Sequence, residues 1–164
     1  MKILRLRLSC QLLLALVVTT LLASGVREAQ SAGPFKATIA ITESIQPIGT
    51  APCILVGDIS GTGQATQLGR VTVVSSDCIN PISQTAFSFS SNQLVFTVPN
   101  GDQIFAVYNG ILTSEDGVGI ISGGYQITGG TGRYAQATGA GTVQGVEDMS
   151  TGKGLVQLNG TFSY

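Results

Sequence analysis

No histidine and no tryptophan occur among the 164 residues, aromatic side chains make up 6% of them, and charged side chains only 10%. Without histidine there is no Ser-His-Asp triad, no Cys-His pair and no His-ligated zinc. The charged fraction lies far below the roughly 25% of an average soluble domain. The chain is nevertheless not of the disordered kind, because a mean hydropathy of +0.36 and a net charge of −1 are the reverse of that signature. What it has in abundance is glycine, 22 residues, well above the usual share of ~7%.

Residues 1–32 read as an export signal. Lys2, Arg5 and Arg7 precede an apolar run from Leu8 to Ala23, and small residues follow at Ala23-Ser24-Gly25 and Ala29-Gln30-Ser31-Ala32. Basic, then apolar, then small is the order of a secretory signal peptide. Cleavage is expected between Ser31 and Gly33, with a site after Gly25 as second choice. The clean apolar run falls short of the ~20 residues of a membrane span, and Cys10 lies too early in it to be a lipidated cysteine. Without residues 1–32 the chain keeps Lys36, Arg70, Arg133 and Lys153 against eight acids, a net charge of −4. That argues against a nucleic-acid partner, which needs clustered Lys and Arg. No second long apolar segment follows, so residues 33–164 are expected to form one soluble domain, free of the membrane, in the periplasm or outside the cell.

Two cysteines remain, Cys53 and Cys78, and in an exported chain they are most simply a disulfide. Cys53 opens the run Ile54-Leu55-Val56, and Cys78 closes the run that begins at Val71. If these runs pair as a hairpin, the cysteines face each other near its open end.

Period-2 alternation recurs along the whole domain, from Thr38-Ile39-Ala40-Ile41-Thr42 to the segment Gly154–Tyr164. Eight to ten short strands are expected, and no window shows a helical stripe; only Arg133–Ala137 suits a short helical turn. Asn100-Gly101 is a turn signal. Residues 61–69 and 77–86 read as long loops. Ile54-Leu55-Val56, Leu94-Val95-Phe96 and Ile104-Phe105-Ala106-Val107 put apolar side chains on both faces of their strands. A lone barrel can bury only one of those faces, so the outer one needs a cover, either the long loops or a neighbouring subunit.

The segment Thr128-Gly129-Gly130-Thr131-Gly132-Arg133-Tyr134 has the look of a nucleotide-binding turn, but a dinucleotide site needs a following helix and a further parallel strand. Here the remaining residues read as strands. At least one of Gly129, Gly130 and Gly132 is expected at positive φ. The stretch from Tyr125 to Thr142 that contains this segment resembles the C-terminal signature of allene oxide cyclase-like barrels and the similar segment of dirigent proteins. Asn100-Gly101-Asp102 with Tyr108-Asn109-Gly110 resembles the hairpin before it, and Leu158–Tyr164 their last strand. The resemblance implies an all-β fold, a single eight-stranded antiparallel barrel, and a homotrimer. The composition, with no histidine, no acid–base pair at a telling spacing and no cysteine nucleophile, favours an exported, non-enzymatic barrel that binds a small apolar ligand or serves as a secreted structural module; the alternative is a cyclase or radical-steering enzyme working by shape. No catalytic position matches residue by residue.

Candidate ligand-binding residues come from strand parity. Glu43 shares its face with Ile39, Ile41 and Ile45, where a carboxyl would be desolvated and its pKa raised. Asp58 is in line with Ile54 and Val56, and Tyr108 and Tyr125 offer hydroxyls at the edge of an apolar interior. Glu115-Asp116 and Glu147-Asp148 read as residues of Gly- and Ser-rich turns without a calcium-loop pattern. No metal and no cofactor is expected. An open interior of several hundred Å³ with one or two inward polar groups would favour a ligand; an interior filled with Phe, Ile and Leu would favour a structural role.

Overall fold

The computed structural model describes residues 32–164. Cys10 and the expected export signal, except its last residue, lie outside the described residues. The chain forms eight antiparallel strands: β1 (Gly33–Thr50), β2 (Cys53–Ala65), β3 (Gly69–Pro81), β4 (Ala86–Thr97), β5 (Gln103–Glu115), β6 (Val118–Gly130), β7 (Thr138–Asp148) and β8 (Lys153–Ser163). Each pairs with the next and β8 pairs with β1, closing a barrel. The all-β, eight-stranded antiparallel barrel is the expected fold, but its strands are longer than the sequence suggests. The runs 86–89 and 94–97 belong to one strand, β4, which bulges between Ser91 and Leu94. The runs 119–122 and 125–128 join across Gly123-Gly124 into β6.

The two expected loops are also largely strand. Residues 61–65 continue β2 and 77–81 continue β3, in register with each other's neighbours. Inward-facing Gly61 explains why this part looks irregular in sequence: a Cβ there would come within 3.0 Å of Ile39 Cγ2, so the position is bare to seat the isoleucines of β1. These segments therefore do not fold back over the outer wall, and apolar side chains such as Val74, Ile120, Val146 and Leu155 stay exposed among the described residues.

Tight turns need residues that accept positive φ. Asp116 (φ 50°) and Gly117 (φ 82°) close the β5–β6 hairpin as a two-residue turn with both central residues left-handed. In the Gly-rich segment, Gly129 and Gly132 take positive φ and Gly130 does not. The chain then makes one 3-10 turn, Gly132–Tyr134, which drops the Tyr134 ring into the end of the barrel. There it meets Phe162 (centroids 6.1 Å apart), and Phe162 meets Phe35 (5.5 Å). Tyr134, Phe35 and Phe162 are at most 1% exposed, and burial of each ring contributes roughly 2–3 kcal/mol. This end is sealed. Outside it, Arg133 lies over the rings of Tyr134 and Tyr164, rather than against an acid.

Cys53 and Cys78 are joined, with Cα atoms 5.1 Å apart. The bond ties the β1–β2 hairpin to β3 near the opposite end of the barrel, and in the chain-entropy account a loop of this size contributes about 3 kcal/mol.

Candidate functional site

β1 alternates cleanly, with Phe35, Ala37, Ile39 and Ile41 buried and the residues between them exposed. Continuing that alternation turns Glu43 into the barrel. Its backbone is fixed there by the β7–β8 turn, whose Gly152 carbonyl accepts from the Glu43 amide at 2.7 Å. Asp148 holds the turn in shape, its carboxylate accepting from the Ser150 amide (2.8 Å), the Ser150 hydroxyl (2.6 Å) and the Thr151 amide (3.1 Å). The Glu43 side chain then lies across Gly57 of β2, where any Cβ would collide with its carboxyl oxygen.

On β3 the same alternation runs Val71, Val73, Ser75, Asp77, Ile79. Asp77 is only 5% exposed. It accepts a short hydrogen bond from the Tyr108 hydroxyl of β5, which also lies 2.9 Å from Ser75 Oγ. Ser75 donates to Ser91 Oγ at 2.8 Å, and Ser91 donates to the Ser76 carbonyl at 2.7 Å. A chain of hydroxyls thus runs from the lumen into the β4 bulge and satisfies groups that would otherwise be stranded. On β7, Val143, Gly145 and Glu147 point inward, and Glu147 is 3% exposed.

Three carboxyls therefore share one compartment just inside the unsealed end. All four basic residues of the described chain, Lys36, Arg70, Arg133 and Lys153, are exposed, and none lines this compartment. Burial pushes the Glu43 carboxyl up to about 8, and the charge of Glu147, its hydrogen bond to Glu43 and the charge of Asp77 add to the effect. Burial raises Glu147 as well, while its hydrogen bond with Glu43 holds it down. Both carboxyls of the pair are thus pushed upward, chiefly by burial, which favours a proton shared between them. Asp77 rises to about 6 through burial, against the pull of its Tyr108 and Ser75 hydrogen bonds. The Tyr108 phenol is pushed upward by burial and by Asp77.

Deeper in the barrel, Tyr125 of β6 stands level with two glycines, Gly141 of β7 and Gly160 of β8, and then with Phe35 of β1. Its ring and that of Phe35, centroids 6.2 Å apart, fill the space the glycines leave. Tyr125 is 4% exposed, and its hydroxyl has no hydrogen-bond partner. Burial raises its phenol to about 12.

Between these groups lies a cavity of about 150 Å³. Its walls are apolar, with Ile39, Ile41 and Val73 at mid-height and Leu112, Phe87 and Met149 towards the open end. It is smaller than the expected several hundred Å³, because aromatic rings fill the sealed half, but it carries more inward polar groups than one or two. Glu43, Tyr108 and Tyr125 line it; Asp58 does not. Asp58 does share a face with Ile54 and Val56, but that is the outer face, with Leu55, Gly57 and Ile59 facing in. Parity states which residues lie together, and an outer wall this apolar disguises which side is inside. In sequence Asp77 has the look of a loop residue and Glu147 that of a turn residue. They are interior strand residues, and the signal for them was the alternation continuing through Val73 and Ser75, and through Val143 and Gly145.

No family model and no curated protein matches the chain. Two solved structures share its fold. The pterocarpan synthase dirigent protein GePTS1 superposes with a TM-score of 0.56 at 15% identity, over 87% of this chain and 92% of that one. The pterocarpan synthase dirigent protein PsPTS1 gives a TM-score of 0.54 at 14% identity, over 84% and 97%. The barrel is thus dirigent-like in fold.

Proposed function

We propose that the barrel holds a small, mainly apolar molecule in its lumen. The observation that carries this reading is the cavity itself: a 150 Å³ apolar space, sealed at one end by packed rings and bordered at the other by carboxyls. A cavity of this volume is about that of an engineered cavity that takes up benzene. A purely structural barrel would gain stability by filling it, since each missing methylene forfeits about 1 kcal/mol.

A second reading is favoured by the Glu43–Glu147 pair. A carboxyl that keeps its proton at neutral pH, beside a carboxylate and inside an apolar site, is a general acid. Proton transfer to a bound molecule is the chemistry this carboxyl pair offers, and the enclosing walls would set its shape. That is the cyclisation or isomerisation alternative, and it parallels the synthase activity named for the two dirigent proteins of the same fold.

The reading includes export of residues 33–164 after removal of residues 1–32, supported by the disulfide, and self-association through the outer wall. No helix among the described residues is long and apolar enough to cross a membrane. N-terminal sequencing of protein recovered outside the cytoplasm is expected to start at or next to Gly33.

Lumenal binding is tested by titrating toluene into protein labelled at isoleucine methyl groups. Shift changes are expected at Ile39, Ile41, Ile79 and Ile121, which face the cavity, and not at exposed Ile111 or Ile120. No change at any lumenal methyl with millimolar toluene would overturn the reading.

A further inference from the structure

We infer that the barrel wall carries a proton path of its own: the hydroxyls of Ser75 and Ser91 link the lumenal pair Asp77–Tyr108 to solvent outside the barrel, through a break between β3 and β4 and not through the open end. This goes beyond lumenal binding and does not depend on it.

Two independent observations carry the path. The first is a gap in the wall. β3 pairs with β4 from Thr72 to Val74, and the pairing resumes only at Cys78, opposite Ser90. Residues 75–77 therefore face residues 91–94 with no strand pairing between them. The same stretch of β4 slips against β5, between Ser91 and Leu94. Such irregularities re-aim side chains and end strand pairing. Outside the gap lies an open groove bordered by Val74, Ser76, Asn92, Gln93 and Val95. Ser75 and Leu94 border both this groove and the lumenal cavity, so the wall here is a single residue thick.

The second observation is what fills the gap. A wall that needed only closing would be packed with apolar side chains, as it is by Val73 and Phe96, which are paired and buried just beside it. Here the filling is hydroxyls. Tyr108 donates to Asp77 and lies 2.9 Å from Ser75 Oγ, and Ser75 Oγ lies 2.8 Å from Ser91 Oγ. Ser91 Oγ meets the Ser76 carbonyl at 2.7 Å and the Gln93 amide at 3.2 Å, and both of those residues border the outer groove. Ser75 Oγ also stands 3.3 Å from Asp77 Oδ1. Each hydroxyl can give one proton while accepting another. A proton from water in the groove enters at Ser91 Oγ as Ser91 passes its own to Ser75, and Ser75 passes its own to the Asp77 carboxylate. At each serine oxygen one O–H bond forms and one breaks. The serines end neutral, and the net change is one proton moved from outer water to Asp77. The reverse sequence empties Asp77, so this carboxyl follows the pH outside even when a guest fills the lumen.

The test reads hydroxyl exchange by carbon NMR of protein labelled at tyrosine Cζ. In equal parts of light and heavy water, a tyrosine whose hydroxyl exchanges slowly gives a split signal, and one that exchanges fast gives a single averaged signal. Tyr125, whose hydroxyl has no partner, is the internal reference for a buried phenol off the path. Tyr108 is expected to exchange fast in the parent protein and Tyr125 slowly. Ser91→Ala is expected to slow Tyr108 roughly tenfold or more, because exchange then waits for local opening. Ser91→Thr keeps the hydroxyl and is expected to keep the parent rate. Ser75→Ala breaks the inner link, carries the same expectation as Ser91→Ala, and stands in for it if that variant does not fold. The sign separates a path from packing, since a loosened wall admits water and speeds exchange whereas a broken path slows it. Tyr108 exchange that is unchanged or faster in the alanine variants would overturn the inference. So would a slow Tyr108 hydroxyl in the parent, or a Ser91→Thr variant as slow as Ser91→Ala.

Discussion

Glu43 makes stability depend on pH in a direction opposite to that of a salt-bridged acid. Its folded pKa is raised from 4.5 to about 8, chiefly by burial, and that of Asp77 from 3.8 to about 6. Between these limits the folded state holds more protons than the unfolded one. Stability is therefore highest towards pH 4, falls as pH rises through 4.5 to 8, and levels off above 8. Glu43→Gln removes the larger part of this slope. In urea denaturation at pH 5, 6.5 and 8, the variant is expected to gain on the order of 2 kcal/mol at pH 8 and little at pH 5. A variant less stable than the parent at pH 8 would mean that Glu43 is ionised and paired there.

The strands carry two kinds of glycine, and they respond differently to the same substitution. At Gly160 an added Cβ would collide with the Ala140 carbonyl oxygen of the neighbouring strand and sit 2.7 Å from the Tyr125 hydroxyl. Backbone cannot step aside, so Gly160→Ala is expected to cost about 2–3 kcal/mol. At Gly57 the first obstacles are the Glu43 carboxyl and Ile79 Cδ1, both mobile ends of side chains. Gly57→Ala is expected to cost under about 1 kcal/mol and to move the Glu43 titration instead. Thermal melts and isotope-edited carboxyl spectra separate the two, and equal destabilisation would contradict the distinction. The same glycines mark the limit of what the sequence discloses. Alternation made the strands and the closed barrel legible and put Glu43 beside Ile39 and Ile41. Wherever Gly or Ser takes an inward position, as at Gly61 or Ser75, the alternation loses its apolar beat. The strand then looks like a loop, and Asp77 and Glu147 disappear with it. Asp58 failed for the opposite reason, since Ile54 and Val56 beside it face outward.

That outward apolar surface is the feature of the assembled barrel most in need of a partner. Ile120, Val146 and Leu155 are direct cross-strand neighbours on β6, β7 and β8, exposed by 44%, 51% and 44%. Sparse charge leaves little to keep such surfaces apart, and extended apolar patches are uncommon on soluble monomers. Light scattering at micromolar concentration is expected to give three times the mass of one chain of residues 33–164. Val146→Lys with Leu155→Lys is expected to reduce it to one. A single-chain mass for the parent protein, unchanged on tenfold concentration, would show that the wall stands bare.

The floor of packed rings at Phe35, Tyr134 and Phe162 makes this barrel a vessel with one lip, not a tube. A guest arriving past Met149 and Leu112 has to swap places with whatever water is inside, through the same opening, because there is no back door for the water to leave by. Departure follows the same path in reverse. How long a guest stays is then governed as much by the width of the lip as by the strength of its contacts. A weakly held guest can be slow to escape, and one that reacts with water is sheltered on every side but one.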